Sequence, residues 1–170
     1  PGQTTHFSEV NENVMAYSVN GHRHLPEIQQ ELKKLMPTNV SADDRHIDIT
    51  FVPHLVPMTR GILNSCYANI KQVHYSSADK AMNQITDLYN DFYANEPFVT
   101  VASSPPQTKQ TLGSNQCILY PTIDERSGKL IVISCLDNLV KGAAGQAVQN
   151  MNLMLGIPES SGLEELALYP

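Results

Sequence analysis

The chain has 170 residues, of which 41% are hydrophobic and 16% charged, the profile of one folded globular domain with a real core rather than a disordered segment. Its net charge of -6, with 11 Lys and Arg scattered along the sequence, argues against a nucleic-acid surface, which needs clustered cations. No apolar run reaches the length of a membrane span and no signal peptide is visible, so the expected location is the cytoplasm.

In chain order, Val14 to Val19 is predicted as a strand closed by Asn20-Gly21. Pro26 then opens a helix with Ile28, Leu32, Leu35 and Met36 on one stripe, ended by Pro37. Arg45 to Val52 alternates, with Ile47, Ile49 and Phe51 on one face, and Pro53 and Pro57 bend the chain before a strand from Gly61 to Gln72. Ser76 with Asp79 resembles a capping box opening the longest helix, to about Ala94, with Ala78, Met82, Ile85, Tyr89 and Phe92 on its buried face. A short strand, Phe98 to Val101, and a loop, Ser103 to Ser114, lead to a hairpin. Its arms are Gln116 to Asp124 and Lys129 to Asp137, around Glu125-Arg126-Ser127-Gly128. The last helix runs from Gly142 to Leu155, with Gly156 as its cap and Pro158 beyond.

These elements predict an α+β fold, a mixed and mostly antiparallel sheet with helices on one face. The other face is then left for a partner. Cys66, Cys117 and Cys135 sit in apolar strand-like runs without C-x-x-C spacing, which reads as reduced core thiols. Cys117 and Cys135 are nearly opposite across the hairpin, so a disulfide there is geometrically conceivable.

The segment Asp137-Asn138-Leu139-Val140-Lys141-Gly142-Ala143-Ala144-Gly145-Gln146-Ala147 turns from a strand into a helix whose stripe is Val148, Met151, Met154 and Leu155. A helix start carries unpaired N–H groups and a partial positive charge, small residues admit a ligand to that backbone, and Lys141 adds a cation, so the segment reads as an anion cradle. The same small residues serve equally to let a helix pack closely on a neighbour. Neither G-x-G-x-x-G nor G-x-x-x-x-G-K-[ST] is present.

His22-Arg23-His24-Leu25-Pro26-Glu27 joins a strand to a helix start. A histidine there suits proton transfer, because imidazole titrates near neutrality. The alternatives are an inert surface histidine, or metal ligation by His22, His24 and Glu27, for which a further ligand at sensible spacing is missing. In Pro53-His54-Leu55-Val56-Pro57-Met58-Thr59-Arg60-Gly61, Arg60 can clamp an anion bidentately or make a structural pair. His6, His46 and His74 carry no assignment.

The blocks His22 to Ile28, Pro53 to Leu63 and Asp137 to Gly156, in this order and across essentially the whole chain, resemble the C-terminal portion of the N-acetyl-gamma-glutamyl-phosphate reductase family. That family lies in the aspartate-semialdehyde dehydrogenase-like branch of the glyceraldehyde-3-phosphate dehydrogenase-type folds. The resemblance implies residues 1–170 as a single substrate-binding and dimerisation domain with the C-terminal-domain fold of that group. It also implies an NADP-dependent reduction of N-acetyl-glutamyl 5-phosphate to N-acetyl-glutamate semialdehyde in arginine biosynthesis.

The Gly-rich fingerprint and the Asn-Pro-Gly-Cys-Tyr-Pro-like nucleophile stretch of the family are absent, and no cysteine here matches that stretch. The chain, starting at Pro1, is therefore expected to be cut from a longer enzyme and inactive alone. Its 137–156 helix is expected to dock on an N-terminal Rossmann domain. By resemblance, His22 is the catalytic histidine, Tyr17 a supporting donor, and Glu9 and Arg60 candidate substrate contacts. Asn138 would hold the nicotinamide carboxamide, with Gly142 and Gly145 against cofactor or Rossmann backbone. No metal is implied, and the expected assembly is a homodimer or tetramer. An aspartate-semialdehyde dehydrogenase C-terminal domain, or a non-catalytic binding module of the same fold, stands as the alternative.

Overall fold

A computed structural model describes residues 2, 6–36, 47–70 and 78–169 of the chain. Pro37, His46, Ser76, His74 and the flanks of the strands expected over 45–52 and 61–72 fall outside these residues. The chain divides into two compact units, Pro1–Met58 and Thr59–Pro170.

The first unit contains helix α1 (Phe7–Val10), strand β1 (Met15–Ala16), helix α2 (Leu25–Lys34) and strand β2 (His54–Leu55). β1 and β2 pair antiparallel, with Met15 opposite Leu55 and Ala16 opposite His54. β1 is shorter than the predicted 14–19 strand because Ser18 takes φ 49 and Gly21 N–H closes a turn on Ser18 O at 3.2 Å. A left-handed residue cannot continue an extended strand. Residues 47–52 form no ladder, and pairing occurs instead at His54 and Leu55, inside the stretch read as a crossover. α2 forms as predicted. Pro26 and Glu27 occupy its first turn and Lys33 and Lys34 its last, each charge complementing the helix dipole. The Glu31–Lys34 pair at 2.7 Å is exposed on both sides and contributes little.

The second unit carries strand β3 (Ile62–Asn69), helix α3 (Ala78–Phe92), strands β4 (Val99–Val101), β5 (Cys117–Asp124) and β6 (Lys129–Leu136), and helix α4 (Gly145–Leu155). The sheet order is β3-β6-β5-β4. Only β4 and β5 are parallel; the other neighbours are antiparallel. The architecture is α+β with a mixed, mostly antiparallel sheet, as the sequence implies. The β5–β6 hairpin closes where turn chemistry requires it. Gly128 takes φ 68, and the Asp124 carboxylate accepts from Arg126 N–H and Ser127 Oγ.

The apolar core contains Ala81 and Ile85 of α3, Phe98 and Cys135. Every residue of β3 is exposed, so Cys66 is an exposed thiol and the core reading fails for it. Cys117 lies opposite Leu136 and Cys135 opposite Ile118. Successive side chains alternate across a sheet, so the two sulfurs point to opposite faces. All three cysteines are free.

α4 is inverted in its polarity. Gly145, Gln149 and Asn152 are its buried residues, while Met151, Met154 and Leu155 are exposed, Met154 at 86%. Hydrogen bonds decide this. Asn152 Nδ2 donates to Glu159 O at 3.0 Å and Ser161 O at 2.9 Å, tying the chain after the helix to its inner face. A buried amide with both bonds made is stable; the apolar stripe is left outward. Gly156, at φ 69, caps the helix as predicted.

Candidate functional site

Each unit holds one cluster. In the first, His22 follows the turn at Gly21, just ahead of α2. Its ring is half-buried and sits edge-on to Tyr17 at 5.7 Å, Phe51 at 5.3 Å and His24 at 4.8 Å between centroids. His24 N–H donates to His22 Nδ1 at 3.2 Å. Nδ1 is therefore an acceptor, and in the neutral ring the proton resides on Nε2. Tyr17 lies beside His22 in ring-edge contact, its own N–H bonded to Pro53 O at 3.0 Å. Glu9 is on exposed α1, and its carbonyl, not its carboxylate, accepts from Asn13 Nδ2 at 3.0 Å. His24 and Glu27 make no ligand set with His22: among the described residues no group of three or more His, Cys, Asp or Glu is placed to hold a metal.

In the second unit, the end of β6 is a knot of hydrogen bonds. Asp137 is fully buried and paired with Arg60, Nη2 to Oδ2 at 2.8 Å and Nε to Oδ1 at 3.4 Å. Its carboxylate also accepts from Gly113 N–H at 2.7 Å, Leu139 N–H at 2.8 Å and Val140 N–H at 3.1 Å. Burial alone pushes this carboxyl up. The N–H groups of Gly113 and Leu139, with Arg60 and Val140, outweigh burial and hold it below the ordinary carboxylate value. Arg60 is therefore committed to a structural pair, one of the two readings its sequence allowed. Asn138, next in the chain, accepts Gly61 N–H on Oδ1 at 2.7 Å.

From there the backbone enters a π-helical turn, Val140–Ala144, with Gly142 N–H on Asp137 O at 2.9 Å and Ala144 N–H on Leu139 O at 3.0 Å. Such turns recur at functional sites. Gly142, Ala143 and Ala144 are exposed. Lys141 is turned the other way. Its Nζ donates to Gln149 Oε1 at 2.7 Å and lies 5.4 Å from the Phe98 ring centroid. Burial holds its ammonium below the ordinary lysine value, against Cys117, Glu159 and Glu96. The cradle therefore lacks the cation expected of it, because a half-buried lysine needs partners and these lie inside.

Sequence reasoning missed the scaffold beneath this turn. Asn115 Nδ2 donates to Gln149 Oε1 at 2.9 Å, and Gln149 Nε2 donates to Glu159. Asn115 Oδ1 is buried without a partner among the described residues and abuts Gly145, where a Cβ would sit 2.4 Å from it. Gly145 is thus an internal contact rather than an open backbone. Gly113-Ser114-Asn115 signalled only a turn, and nothing local pairs Asn115 with Gln149.

Cys117 and Cys135 are unsuited to nucleophilic work here. Burial pushes the Cys135 thiol up to about 11, reinforced by Cys117, and raises Cys117 against the opposing pull of Lys141. A cleft of about 270 Å³ lined by Leu88, Tyr89, Phe92 and Tyr93 contains none of the candidate site residues.

The sequence pattern of the family described as "Semialdehyde dehydrogenase, dimerisation domain" matches residues 1–138. A relative from Dehalococcoides mccartyi named N-acetyl-gamma-glutamyl-phosphate reductase is 49% identical over 170 residues, all of this chain and 46% of that protein. Relatives of the same name from Symbiobacterium thermophilum and Thermus thermophilus are 51% identical over 93% of the chain and 46% identical over 98% of it, covering 42% and 48% of their own lengths. The chain thus spans about half the length of the curated relatives it matches. In fold it is similar to aspartate semialdehyde dehydrogenase II from Vibrio cholerae, with a TM-score of 0.57 at 17% identity over 87% of this chain and 42% of that one. Among the described residues no helix is long and apolar enough to cross a membrane.

Proposed function

The chain belongs to the semialdehyde dehydrogenase dimerisation-domain family, and on that premise we propose that it is the substrate-binding and dimerisation half of an NADP-dependent acyl-phosphate reductase. The reaction is reduction of N-acetyl-glutamyl 5-phosphate to N-acetyl-glutamate semialdehyde, a step of arginine biosynthesis, in the cytoplasm. The observation that carries this reading is the 49% identity to a reductase of that name along the entire chain, with His22 seated in the block that the resemblance makes catalytic.

In this reading residues 1–170 act as one domain beside an N-terminal Rossmann domain. A cysteine of that domain attacks the acyl phosphate, phosphate leaves, and a thioester results. Bound NADPH would supply the hydride that takes the thioester to the aldehyde. His22 moves the protons. With Nδ1 held by His24 N–H, Nε2–H is the donor that returns a proton to the oxyanion. Taking the thiol proton at Nε2 requires the other tautomer and release of that bond. Tyr17 supports the ring from its edge, Glu9 is assigned to the substrate side, Arg60 serves it only through its structural pair with Asp137, and the half-buried Asn138 is assigned to the nicotinamide carboxamide. Gly142, in the exposed stretch, and Gly145 beneath it shape the surface that meets cofactor or Rossmann backbone, and the outward stripe of α4 docks there.

The test is His22→Asn in the full-length protein. Turnover falls at least about a hundredfold, the scale of a lost general acid–base, with the melting curve unchanged. Near-normal kinetics removes His22 from the mechanism.

A further inference from the structure

In an uninterrupted α-helix each residue turns about 100°. Gly142 would then lie over Gln149, two turns on, and Lys141 would stand about 80° to one side. The structure has the opposite arrangement. Lys141 Nζ donates to Gln149 Oε1 at 2.7 Å, and Gly142 is exposed. The π-helical turn Val140–Ala144 accounts for it. Closure from i to i+5, as in Gly145 N–H on Val140 O, takes one residue more per turn and slips what precedes α4 by one position.

Such a turn is rare, and here it is fixed at both ends. Asp137 holds its start through Leu139 N–H and Val140 N–H. At its far end, the buried Gln149 accepts on Oε1 from both Lys141 and Asn115, which uses both lone pairs. Its Nε2 donates to Glu159. The buried Asn115 spans two neighbouring inner positions of α4. Nδ2 bonds Gln149 at 2.9 Å, while Oδ1 lies against Gly145, where a Cβ would be 2.4 Å away.

We propose that Lys141, Gln149 and Asn115 are positioning residues, a strut that sets the one-residue slip and so fixes Gly142 to Ala144 as the surface met by the nucleotide-binding half. The inference rests on the NADP-dependent reading above. The three act through the turn. Relaxation to α geometry would bring Gly142 inward over Gln149 and swing the Lys141 chain to the docking side.

The test uses the full-length protein, with calorimetric titration of NADP and amide hydrogen exchange in its absence. Lys141→Met keeps the stem beside Phe98 and removes the donor; Gln149→Met removes the acceptor. Each weakens NADP by about tenfold, the scale of one hydrogen bond to a charged group. The double variant is no weaker than either alone, because both break the same bond. Lys141→Arg recovers most of the loss. Exchange at residues 142–145 quickens by about tenfold in Lys141→Met, while that of β5 and β6 is unchanged. Unchanged NADP affinity in both single variants overturns the strut and leaves the reductase reading intact. Losses that multiply in the double variant, or faster exchange spread through β5 and β6, reduce the three to ordinary packing residues. If Gln149→Met does not fold, Lys141→Met, at a half-buried position, decides. A wild type that does not bind NADP overturns the reductase reading and this inference with it.

Discussion

Asp137 shows how much one buried carboxylate can organise. Removing its charge leaves Arg60, 29% exposed, without a counter-ion and three backbone N–H groups facing an amide that can itself donate. Breaking one side of such a pair costs more than the pair contributes against an apolar substitute. Asp137→Asn is therefore expected to lower the stability of the second unit by about 3 kcal/mol, read by urea melts at neutral pH. The pH dependence has a definite sign. The folded carboxyl is held below its ordinary value of 3.8, so its contribution is complete above that value and is lost as pH falls through the lower folded value. The difference between wild type and Asp137→Asn should shrink as pH drops below about 4. A gap that stays constant into strong acid would contradict the assignment.

At the scale of elements, the β5–β6 hairpin and α4 were legible because their signals are local. Alternation and the Asp124-to-Gly128 turn set the first, and Gly156 with Pro158 ends the second. The clamp was not legible, since Arg60 and Asp137 lie 77 residues apart and each alone admitted several readings. The buried face of α4 was hidden for the same reason: Gln149 and Asn152 look like surface residues until Asn115, Glu159 and Ser161 are brought to them. Short pairings such as Met15 with Leu55 have no periodicity to detect. Contrasting glycines test the packing of the turn. An Ala at 145 would gain helix propensity of up to about 1 kcal/mol, but its Cβ would lie 2.4 Å from Asn115 Oδ1 and 2.7 Å from Val140 Cγ1. Overpacking wins, and Gly145→Ala is expected to destabilise by about 2 kcal/mol. At Gly142 the nearest atom to a Cβ is the flexible Leu136 Cδ1 at 3.3 Å, so Gly142→Ala should melt within about 0.5 kcal/mol of wild type. Equal losses at both would refute this account of the turn.

For the whole molecule, the exposed apolar surface is the main clue. β3 presents Ile62, Leu63 and Tyr67 at 43%, 53% and 67% exposure, and α4 presents Met151, Met154 and Leu155. Surfaces of that kind mark interfaces. In the proposed reading the sheet faces a second copy and α4 faces a nucleotide-binding half. Sedimentation of the full-length protein at micromolar concentration should give a dimer or tetramer, and a monomer would count against the sheet assignment. The central claim is tested most directly by following NADPH consumption with N-acetyl-glutamyl phosphate. The full-length protein should turn over, whereas its His22→Asn variant should be at least about a hundredfold slower and the 170-residue chain inert. Turnover by the 170-residue chain alone, or none by the full-length protein, would contradict the account.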